Sequence, residues 1–302
     1  MSGDSVAVLV WGFALAAVMA LGGAILLRTP RAPPASDHVA PARASRMVVF
    51  NTGAVDILAQ LGCLDKVVGV SHRCYVPGTE SKVRVENDGG AGTANVEALL
   101  ALRPDMVIVE DNFRDCLEPL GVPVRWLPLD SRFEDVLRWT REIGGIAGDA
   151  SGGESLAREW SQRADTLRRR TAALRPVRVY FEYRGPGETI GRGTVVDDMI
   201  ELAGGQNIAG EIDAPRPRLT AEVIVAADPE VIVLSPWAET EEQAAARPGW
   251  QTVSAIRTGR IHRLTFEDRA VMLFTPRCVA GAERHFLPWF HPELSASAGR
   301  SE

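Results

Sequence analysis

The hydrophobic positions of the chain follow two different patterns. Residues 6–27 form an unbroken apolar run of 22 residues without a charge, whereas from Met47 onward short apolar runs alternate with segments of helical spacing. A helix over the first run would be about 33 Å long, enough to cross the hydrocarbon core of a bilayer. The pattern therefore predicts an N-terminal membrane-inserting helix followed by a folded body.

The membrane-inserting segment allows two interpretations. A secretory signal has a basic N-terminal region and an apolar stretch of about 7–15 residues, but residues 1–5 contain no Lys or Arg and the run here is longer. We therefore favour a permanent anchor over residues 1–28, with a cleaved signal peptide as the alternative. Arg28 and Arg31 lie on the C-terminal side of the segment and by themselves favour a cytoplasmic location for the folded body.

The pattern after the anchor predicts an α/β fold. Residues 29–46 are rich in Pro, Ala and Ser, which is typical of a linker. Beyond them, strands alternate with helices, which favours parallel sheets covered by helices. The predicted strands are 47–51, 67–71, 106–110, 122–127, 177–183, 231–235 and 260–264, and the predicted helices are 56–62, 96–102, 133–146, 195–203 and 277–289.

A long amphipathic segment separates the two halves of this alternation. Residues 153–174 carry Ala157, Trp160, Ala164 and Leu167 on one helical face, which predicts a helix of about 30 Å without an intervening strand. We predict two Rossmann-like lobes with parallel sheets, joined by one long α-helix. The predicted division is an N-terminal lobe at 47–150, a connecting helix at 151–176, a C-terminal lobe at 177–293 and a tail at 294–302.

The two lobes also repeat a motif. Glu97 and Glu222 each begin a segment with Ala four residues later, Pro seven residues later and an apolar strand from the tenth position. A carboxylate in the first turn of a helix is favourable beside the helix dipole, so a purely structural role is one interpretation. The repeat also predicts one such carboxylate on each of two similar lobes.

Composition and motifs exclude several classes of function. The chain has 302 residues, a formal charge of −6 and four cysteines, which argues against general attraction to nucleic acid and against a disulfide scaffold. It contains no G-x-S-x-G elbow, no Walker loop and no H-E-x-x-H pair, and the sequence Gly191-Arg192-Gly193 lacks the third glycine of a dinucleotide site. These absences argue against an enzyme.

The loops after the predicted strands supply the candidate ligand-binding residues. Ligands of open α/β sheets bind outside the carboxyl ends of the strands, and these loops combine aromatic rings with arginine, which suits a large flat or chelated ligand. Loop packing, or a salt bridge for the arginine at the start of the last helix, is the alternative role. The candidates are His72, Arg73, Cys74, Tyr75, Asn112, Phe113, Arg114, Tyr183, Thr189, Trp237 and Arg277.

The cysteines of the first half leave three possibilities open. Cys74 and Cys116 both follow predicted strands, so a disulfide, a soft-metal site that includes His72, and free thiols are all compatible with the sequence. With at most three soft ligands, we regard the metal site as the weakest of the three.

Several segments, in their order and spacing, resemble a known family over residues 46–293. The family is that of substrate-binding proteins of ABC importers in which one helix joins two lobes, which bind vitamin B12, ferric siderophores or haem. The run SHRC followed by Tyr75 is most similar to the corrinoid-binding branch. The segments are AVDILAQLGCLDKVVGVSHRC at 54–74, NVEALLALRPDMVIV at 95–109, MIELAGGQNIA at 199–209, LTAEVIVAADPEVIVL at 219–234 and PGWQTVSAIRTGRIHRL at 248–264, with PR at 276–277 and HPE at 291–293.

The resemblance implies a monomeric extracytoplasmic protein, tethered through residues 6–27, that captures a cobalamin-like corrinoid between its lobes. It implies delivery of this ligand to an ABC permease and its ATPase, with Glu97 and Glu222 matching the glutamates that dock into basic pockets of the permease. No cofactor and no nucleic acid is expected. The alternatives are a ferric-siderophore or haem binder of the same fold, a membrane-anchored ligand sensor, and a soft-metal binder.

Overall fold

A computed structural model of the protein describes residues 43–88, 91–128 and 130–294. The predicted anchor at 6–27, nearly all of the predicted linker and the predicted tail beyond residue 294 lie outside the described residues. Within the described part of the chain, no helix combines the length and the apolar character needed to cross a bilayer.

The first half of the fold is a five-stranded parallel sheet with the strand order β3-β2-β1-β6-β7, and we call it, with its helices, the N-terminal lobe. The three central strands of the sheet are short and mostly buried, which explains their continuous apolar runs in the sequence, whereas the edge strand β3 is largely exposed. The elements are β1 Met47–Val49, α1 Thr52–Gln60, β2 Val67–Ser71, β3 Val83–Val85, the hairpin β4 Asn87–Asp88 and β5 Thr93–Ala94, α2 Val96–Ala101, β6 Met106–Glu110, α3 Arg114–Leu117, β7 Val124–Leu127 and α4 Phe133–Ile146.

The second half contains a four-stranded parallel sheet with the order β11-β10-β8-β9, which we call, with its helices, the C-terminal lobe. The α/β class with parallel sheets is thus confirmed. The elements, including the helix before this sheet, are α5 Ala150–Thr171, β8 Val177–Glu182, α6 Val195–Leu202, β9 Gly205–Asn207, α7 Ala221–Ala227, β10 Val231–Leu234, α8 Glu241–Ala245, α9 Ser254–Arg257, β11 Ile261–Arg263, α10 Cys278–Gly281 and α11 Leu287–Phe290.

Helix α5 is the long connection between the two sheets. Its start is capped by Asp149, whose side chain accepts a hydrogen bond of 2.9 Å from the Gly152 amide. A Cβ atom on Gly153 would lie 2.9 Å from the Thr140 carbonyl oxygen and 3.1 Å from Gly144 Cα. The absence of side chains at these glycines therefore allows α4 and α5 to pack in close contact.

The predicted helix at 277–289 forms over residues 278–290, but it is not α-helical throughout. It consists of α10, a π-helical turn at Ala282–Phe286 and α11. Pro288 lies in the first turn of α11 and has no amide hydrogen to donate, so it removes one of the bonds that a continuous α-helix needs. Strands β3 and β9 were not predicted, because runs of three residues are too short to give a periodic signal.

The two lobes share one continuous core. The largest buried cluster includes Met47 and Ile57 from the N-terminal lobe, Leu167 from α5, and Phe181 and Phe286 from the C-terminal lobe. Polar contacts reinforce this packing, since Asp198 accepts hydrogen bonds of 2.8 Å from the Arg132 side chain and 2.7 Å from the Phe133 amide. The lobes are therefore held together by direct contacts as well as by the connecting helix.

Candidate functional site

A cavity of about 460 Å³ lies between the two lobes, at the carboxyl ends of both parallel sheets. Its walls come from several segments of the N-terminal lobe and from five segments of the C-terminal lobe. The lining residues are Phe50, Asn51, Thr52, Gly53, Ser71, Arg73, Asn87, Glu110, Phe113 and Asp130 on the first side, and Tyr183, Arg184, Ile190, Thr194, Val195, Val196, Arg216, Trp237, Met272, Leu273 and Phe274 on the second.

The C-terminal wall is built around an aromatic pair. The rings of Tyr183 and Trp237 lie 5.7 Å apart in an edge-to-face arrangement, which is a favoured geometry for aromatic side chains. Ser235 positions both residues, because its hydroxyl donates to the Tyr183 carbonyl oxygen and accepts a 3.1 Å hydrogen bond from the Trp237 amide. The guanidinium groups of Arg184 and Arg216 lie 5.2 Å and 5.3 Å from the centre of the Tyr183 ring.

A buried ion pair lies directly behind this wall. Glu182, at the end of β8, is fully buried and accepts two hydrogen bonds of 2.6 Å from the Arg247 guanidinium. The Tyr180 hydroxyl donates a third bond of 3.0 Å to the same carboxylate. Burial opposes the charge on Arg247, but the hydrogen bonds to Glu182 and Glu239 outweigh it and raise the pKa of Arg247 above its ordinary value.

The N-terminal wall presents an acid and amide groups beside a second aromatic pair. The Phe50 and Phe113 rings are 5.6 Å apart, and the Asn51 side chain donates a 2.9 Å hydrogen bond to Glu110. Burial raises the pKa of the Glu110 carboxyl. Asn87 donates a 3.0 Å bond to the Ser71 hydroxyl. This wall therefore offers mainly hydrogen-bond acceptors and amides.

One ion pair crosses from lobe to lobe at the cavity surface. Arg216 donates a hydrogen bond of 2.8 Å to Asp130 while its guanidinium also contacts the Tyr183 ring. Both members of the pair line the cavity. A ligand in the cavity would therefore meet a guanidinium that is already partly neutralised.

Four of the predicted ligand-binding residues line the cavity, namely Arg73, Phe113, Tyr183 and Trp237. All four follow the carboxyl ends of strands. This agrees with the general rule that ligands of open α/β sheets bind beyond those ends, which we call the strand-end rule. The remaining seven do not line it.

Four of these seven are held elsewhere by local contacts. His72 accepts a hydrogen bond of 3.3 Å at its Nδ1 from the Asn87 backbone amide. Thr189 is buried and donates a 2.6 Å bond to the Phe181 carbonyl oxygen. Arg114 lies over the Trp126 ring at 4.7 Å, and Arg277 lies 3.4 Å from Asp56.

Three further candidates also lie off the cavity. Cys74 is buried in the core. Asn112 follows β6 within a short 3₁₀ turn at Asp111–Phe113, and of that turn only Phe113 lines the cavity. Tyr75 is 71% exposed and lies under Arg269.

The cysteines are free thiols. Cys74 and Cys116 are not joined by a disulfide in this structure, and burial raises the pKa of the Cys116 thiol, which opposes the thiolate form that a metal requires. Across the described ranges, no three His, Cys, Asp or Glu side chains converge as a metal site would require. The suggested set of His72, Cys74 and Cys116 is therefore not brought together.

The lining residues that sequence reasoning missed include those after β1 and β7, and three segments of the C-terminal lobe at 190–196, 216 and 272–274. Phe50 and Asn51 directly follow β1, so the strand-end rule could have found them. Arg216 and the segment 272–274 lie far along the chain from any predicted strand end. No sequence signal pointed to them, because only the packing of the lobes brings them to the cavity.

Gly53 controls how closely the lobes meet at the cavity. A Cβ atom there would lie 2.2 Å from the Phe274 carbonyl oxygen, so the backbone of the C-terminal lobe would have to move. We expect Gly53→Ala to lower the free energy of unfolding by about 1–3 kcal/mol. Denaturant unfolding measures this effect.

Gly145→Ala is the matched control, because it also adds a methyl group to a helix but meets nothing within 4 Å. We expect it to stabilise the protein by about 0.5–1 kcal/mol. An equal effect of the two substitutions would contradict the proposed contact.

Comparison with known proteins places the chain in a family. A family model described as periplasmic binding protein matches residues 47–267. The chain is 33% identical over 198 residues to a cobalamin-binding protein of Halobacterium salinarum, covering 62% of this chain and 53% of that protein. It thus spans about half the length of that curated relative. A vitamin B12-binding protein of Yersinia pestis is 26% identical over 202 residues, covering 65% of this chain and 71% of that protein.

Solved structures share the fold. The periplasmic vitamin B12 binding protein of Vibrio cholerae superposes with a TM-score of 0.67 at 23% identity, covering 83% of this chain and 98% of that chain. The periplasmic heme-binding protein of Roseiflexus sp. RS-1 gives a TM-score of 0.70 at 23% identity, covering 82% and 98%. The match over residues 47–267 shows that the chain belongs to the periplasmic binding protein family, and the two solved structures share its fold.

Proposed function

We propose that this protein captures a cobalamin-like corrinoid in the cavity between its lobes and delivers it to an ABC importer. The observation that carries the proposal is the composition of the two walls. One wall has an edge-to-face aromatic pair, Tyr183 and Trp237, flanked by arginines, and the other has the amide and carboxyl groups of Asn51, Asn87 and Glu110.

The chemistry of a corrinoid matches both walls. Its flat macrocycle offers a large apolar face to the aromatic pair, and its peripheral amides both donate and accept hydrogen bonds. Arg184 and Arg216 line the cavity and provide donors for the carbonyl oxygens of these amides, while Glu110 provides an acceptor for amide N–H groups. The names of the relatives from Halobacterium salinarum and Yersinia pestis support the same ligand class.

A ferric siderophore or haem is the second candidate ligand, because the heme-binding protein of Roseiflexus shares the fold. Haem carries two carboxylates, which would suit Arg184, but Arg216 is already paired with Asp130. The carboxyl of Glu110 lies in the same cavity, and like charges at close range are unfavourable in a partly buried site. The charges of the cavity therefore favour a ligand with neutral amides.

Titration of the purified full chain with cyanocobalamin, haem, a ferric hydroxamate and zinc tests the ligand class. We expect intrinsic tryptophan fluorescence to fall only with cyanocobalamin, with a dissociation constant of about 1 μM or tighter, because Trp237 lies at the cavity. The Trp237→Phe variant should bind with a much smaller signal.

A fluorescence change with haem or the hydroxamate alone would favour the second candidate ligand. A response to zinc that vanishes in Cys74→Ser would favour the soft-metal alternative. No response to cyanocobalamin would overturn the proposal.

We further propose that Glu97 and Glu222 dock onto the permease. Both side chains are exposed in the first turns of helices, α2 capped by Asn95 and α7 capped by Thr220. Exposed apolar neighbours, Leu100 and Val223, lie beside them, which suits a protein partner. In the sensor alternative, the same surface would have no permease to bind.

The proposed location is extracytoplasmic, with residues 6–27 as a tether to the membrane. This location is the one expected of a periplasmic binding protein. We give the family expectation more weight than the two arginines after the segment, which by themselves favour a cytoplasmic location. Protease treatment of intact spheroplasts should remove the body of the protein if it faces outward, and should leave it intact if it faces the cytoplasm.

A further inference from the structure

Large apolar side chains are exposed in a row at the mouth of the cavity. Tyr75 is 71% exposed, Phe266 is 52% exposed and Trp237 is 44% exposed. Neither Phe266 nor Tyr75 lines the cavity itself, whereas Trp237 does. Contiguous exposed apolar groups next to a cavity indicate a binding surface that continues beyond it.

The row is continuous from the cavity wall to the opposite lobe. The Trp237 ring lies 5.7 Å from Tyr183 and 5.7 Å from Phe266, and it meets the Phe266 ring at 89°. The Arg269 guanidinium follows at 5.9 Å from the Phe266 ring and 5.5 Å from the Tyr75 ring. We call Trp237, Phe266, Arg269 and Tyr75 the aromatic rim.

The charge of the rim is not neutralised within the described part of the protein. Arg269 donates to the Phe266 carbonyl oxygen, and no carboxylate among the described residues lies within ion-pair distance of it. Arg216, by contrast, is paired with Asp130. An arginine without a carboxylate partner beside exposed rings matches a ligand group that combines an anion with an aromatic ring.

The size of the cavity favours such an outer site. Cavities of about 300–1,000 Å³ enclose drug-sized ligands, and the cavity here, at about 460 Å³, is at the small end of that range. A cobalamin has a macrocycle and, in addition, a nucleotide loop with a phosphate and an aromatic base. If the macrocycle occupies the cavity, the nucleotide loop must lie outside it.

We propose that the aromatic rim is the subsite for the nucleotide loop of the corrinoid. This inference rests on the proposed function and specifies which part of the ligand each surface contacts. The phosphate pairs with Arg269, and the base packs against Phe266, next to the macrocycle on Trp237. Because Tyr75 belongs to the N-terminal lobe and the other three residues to the C-terminal lobe, the subsite is complete only when the lobes are close together.

A comparison of two corrinoids tests the inference on the full chain. Cyanocobalamin has the nucleotide loop and dicyanocobinamide lacks it, so calorimetric titration of both measures the contribution of the loop. We expect the unaltered protein to bind cyanocobalamin at least about tenfold more tightly, which is the effect of one aromatic contact or one charged hydrogen bond. Arg269→Gln and Phe266→Ala should each remove most of this preference and leave the affinity for dicyanocobinamide within about twofold.

Arg184→Gln is the matched control, because this arginine also contacts an aromatic ring but lines the cavity. This substitution should lower the affinity for both corrinoids by the same factor. The subsite would be overturned, while the proposed function stands, if the rim variants lost affinity equally for both corrinoids. The same holds if the unaltered protein bound the two corrinoids with equal affinity. Failure of the unaltered protein to bind either corrinoid would overturn both proposals.

Discussion

Replacing Arg247 with methionine is expected to lower the free energy of unfolding by about 3–5 kcal/mol. The Glu182 carboxylate is fully buried and takes two of its hydrogen bonds from this guanidinium, both at 2.6 Å. Without Arg247, a carboxylate would remain in the interior with only the Tyr180 hydroxyl as a side-chain donor. Chemical denaturation at neutral pH measures the loss.

Two further variants identify the cause. In the double variant Glu182→Gln with Arg247→Met, no unpaired charge is left, so most of the lost stability should return. Arg218→Met breaks an exposed pair with Glu188 and should cost less than about 1 kcal/mol. If Arg247→Met costs no more than Arg218→Met, the buried pair does not have the role assigned to it.

The same substitution should also weaken ligand binding. Glu182 is followed directly by Tyr183. Its carbonyl oxygen accepts a hydrogen bond of 2.9 Å from the Ser235 amide, and the Ser235 hydroxyl in turn accepts a hydrogen bond from the Trp237 amide. The ion pair thus supports the aromatic wall of the cavity from behind.

Reversing the charge at both Glu97 and Glu222 is expected to abolish corrinoid uptake and leave ligand affinity unchanged. Both side chains are exposed and lie outside the cavity, so their effect must come from contact with a partner. Hydrogen bonds from its own backbone amide and from Thr220 hold the pKa of Glu222 below its ordinary value, so this residue presents a full negative charge at neutral pH. Uptake of labelled cyanocobalamin by cells, and titration of the purified variant, measure the two effects separately.

Glu242→Arg provides the control for a general effect of surface charge. Glu242 is also an exposed glutamate in the first turn of a short helix, with a pKa lowered by its backbone amide and by the capping Thr240. It has no counterpart in the repeat of the two lobes, and its reversal should leave uptake intact. Loss of ligand binding in the Glu97→Arg, Glu222→Arg variant would contradict the docking assignment.

Much of the fold could be predicted because buried parallel strands are apolar over their whole length. Strands β2 and β6 and helix α4 have the bounds that the sequence pattern predicts. Predictions failed where the signal was short, as in strand β9, which has three residues. The helix expected at 277–289 does form over 278–290, with a π-helical turn that the pattern did not indicate.

The candidate site could be predicted only in part, for a reason that Tyr183 and Arg216 illustrate. Tyr183 follows a recognisable strand, so general rules for parallel sheets place it at the ligand edge. Arg216 lies in an irregular loop, and its position over the Tyr183 ring and beside Asp130 depends on contacts between residues distant in the chain. The inward or outward orientation of His72 and Cys74 was likewise undetermined until their neighbours were known.

The sequence by itself determined the α/β class, the long helix between two runs of parallel strands, and the kind of ligand chemistry that the loops offer. These properties follow from local periodicity and from residue types, which each segment carries independently of its neighbours. Only the tertiary structure decided which loop residues share one cavity, that Glu182 and Arg247 form a buried pair, and that the aromatic rim extends across the lobes. Such features arise from the packing of distant segments, and no local pattern of the chain specifies them.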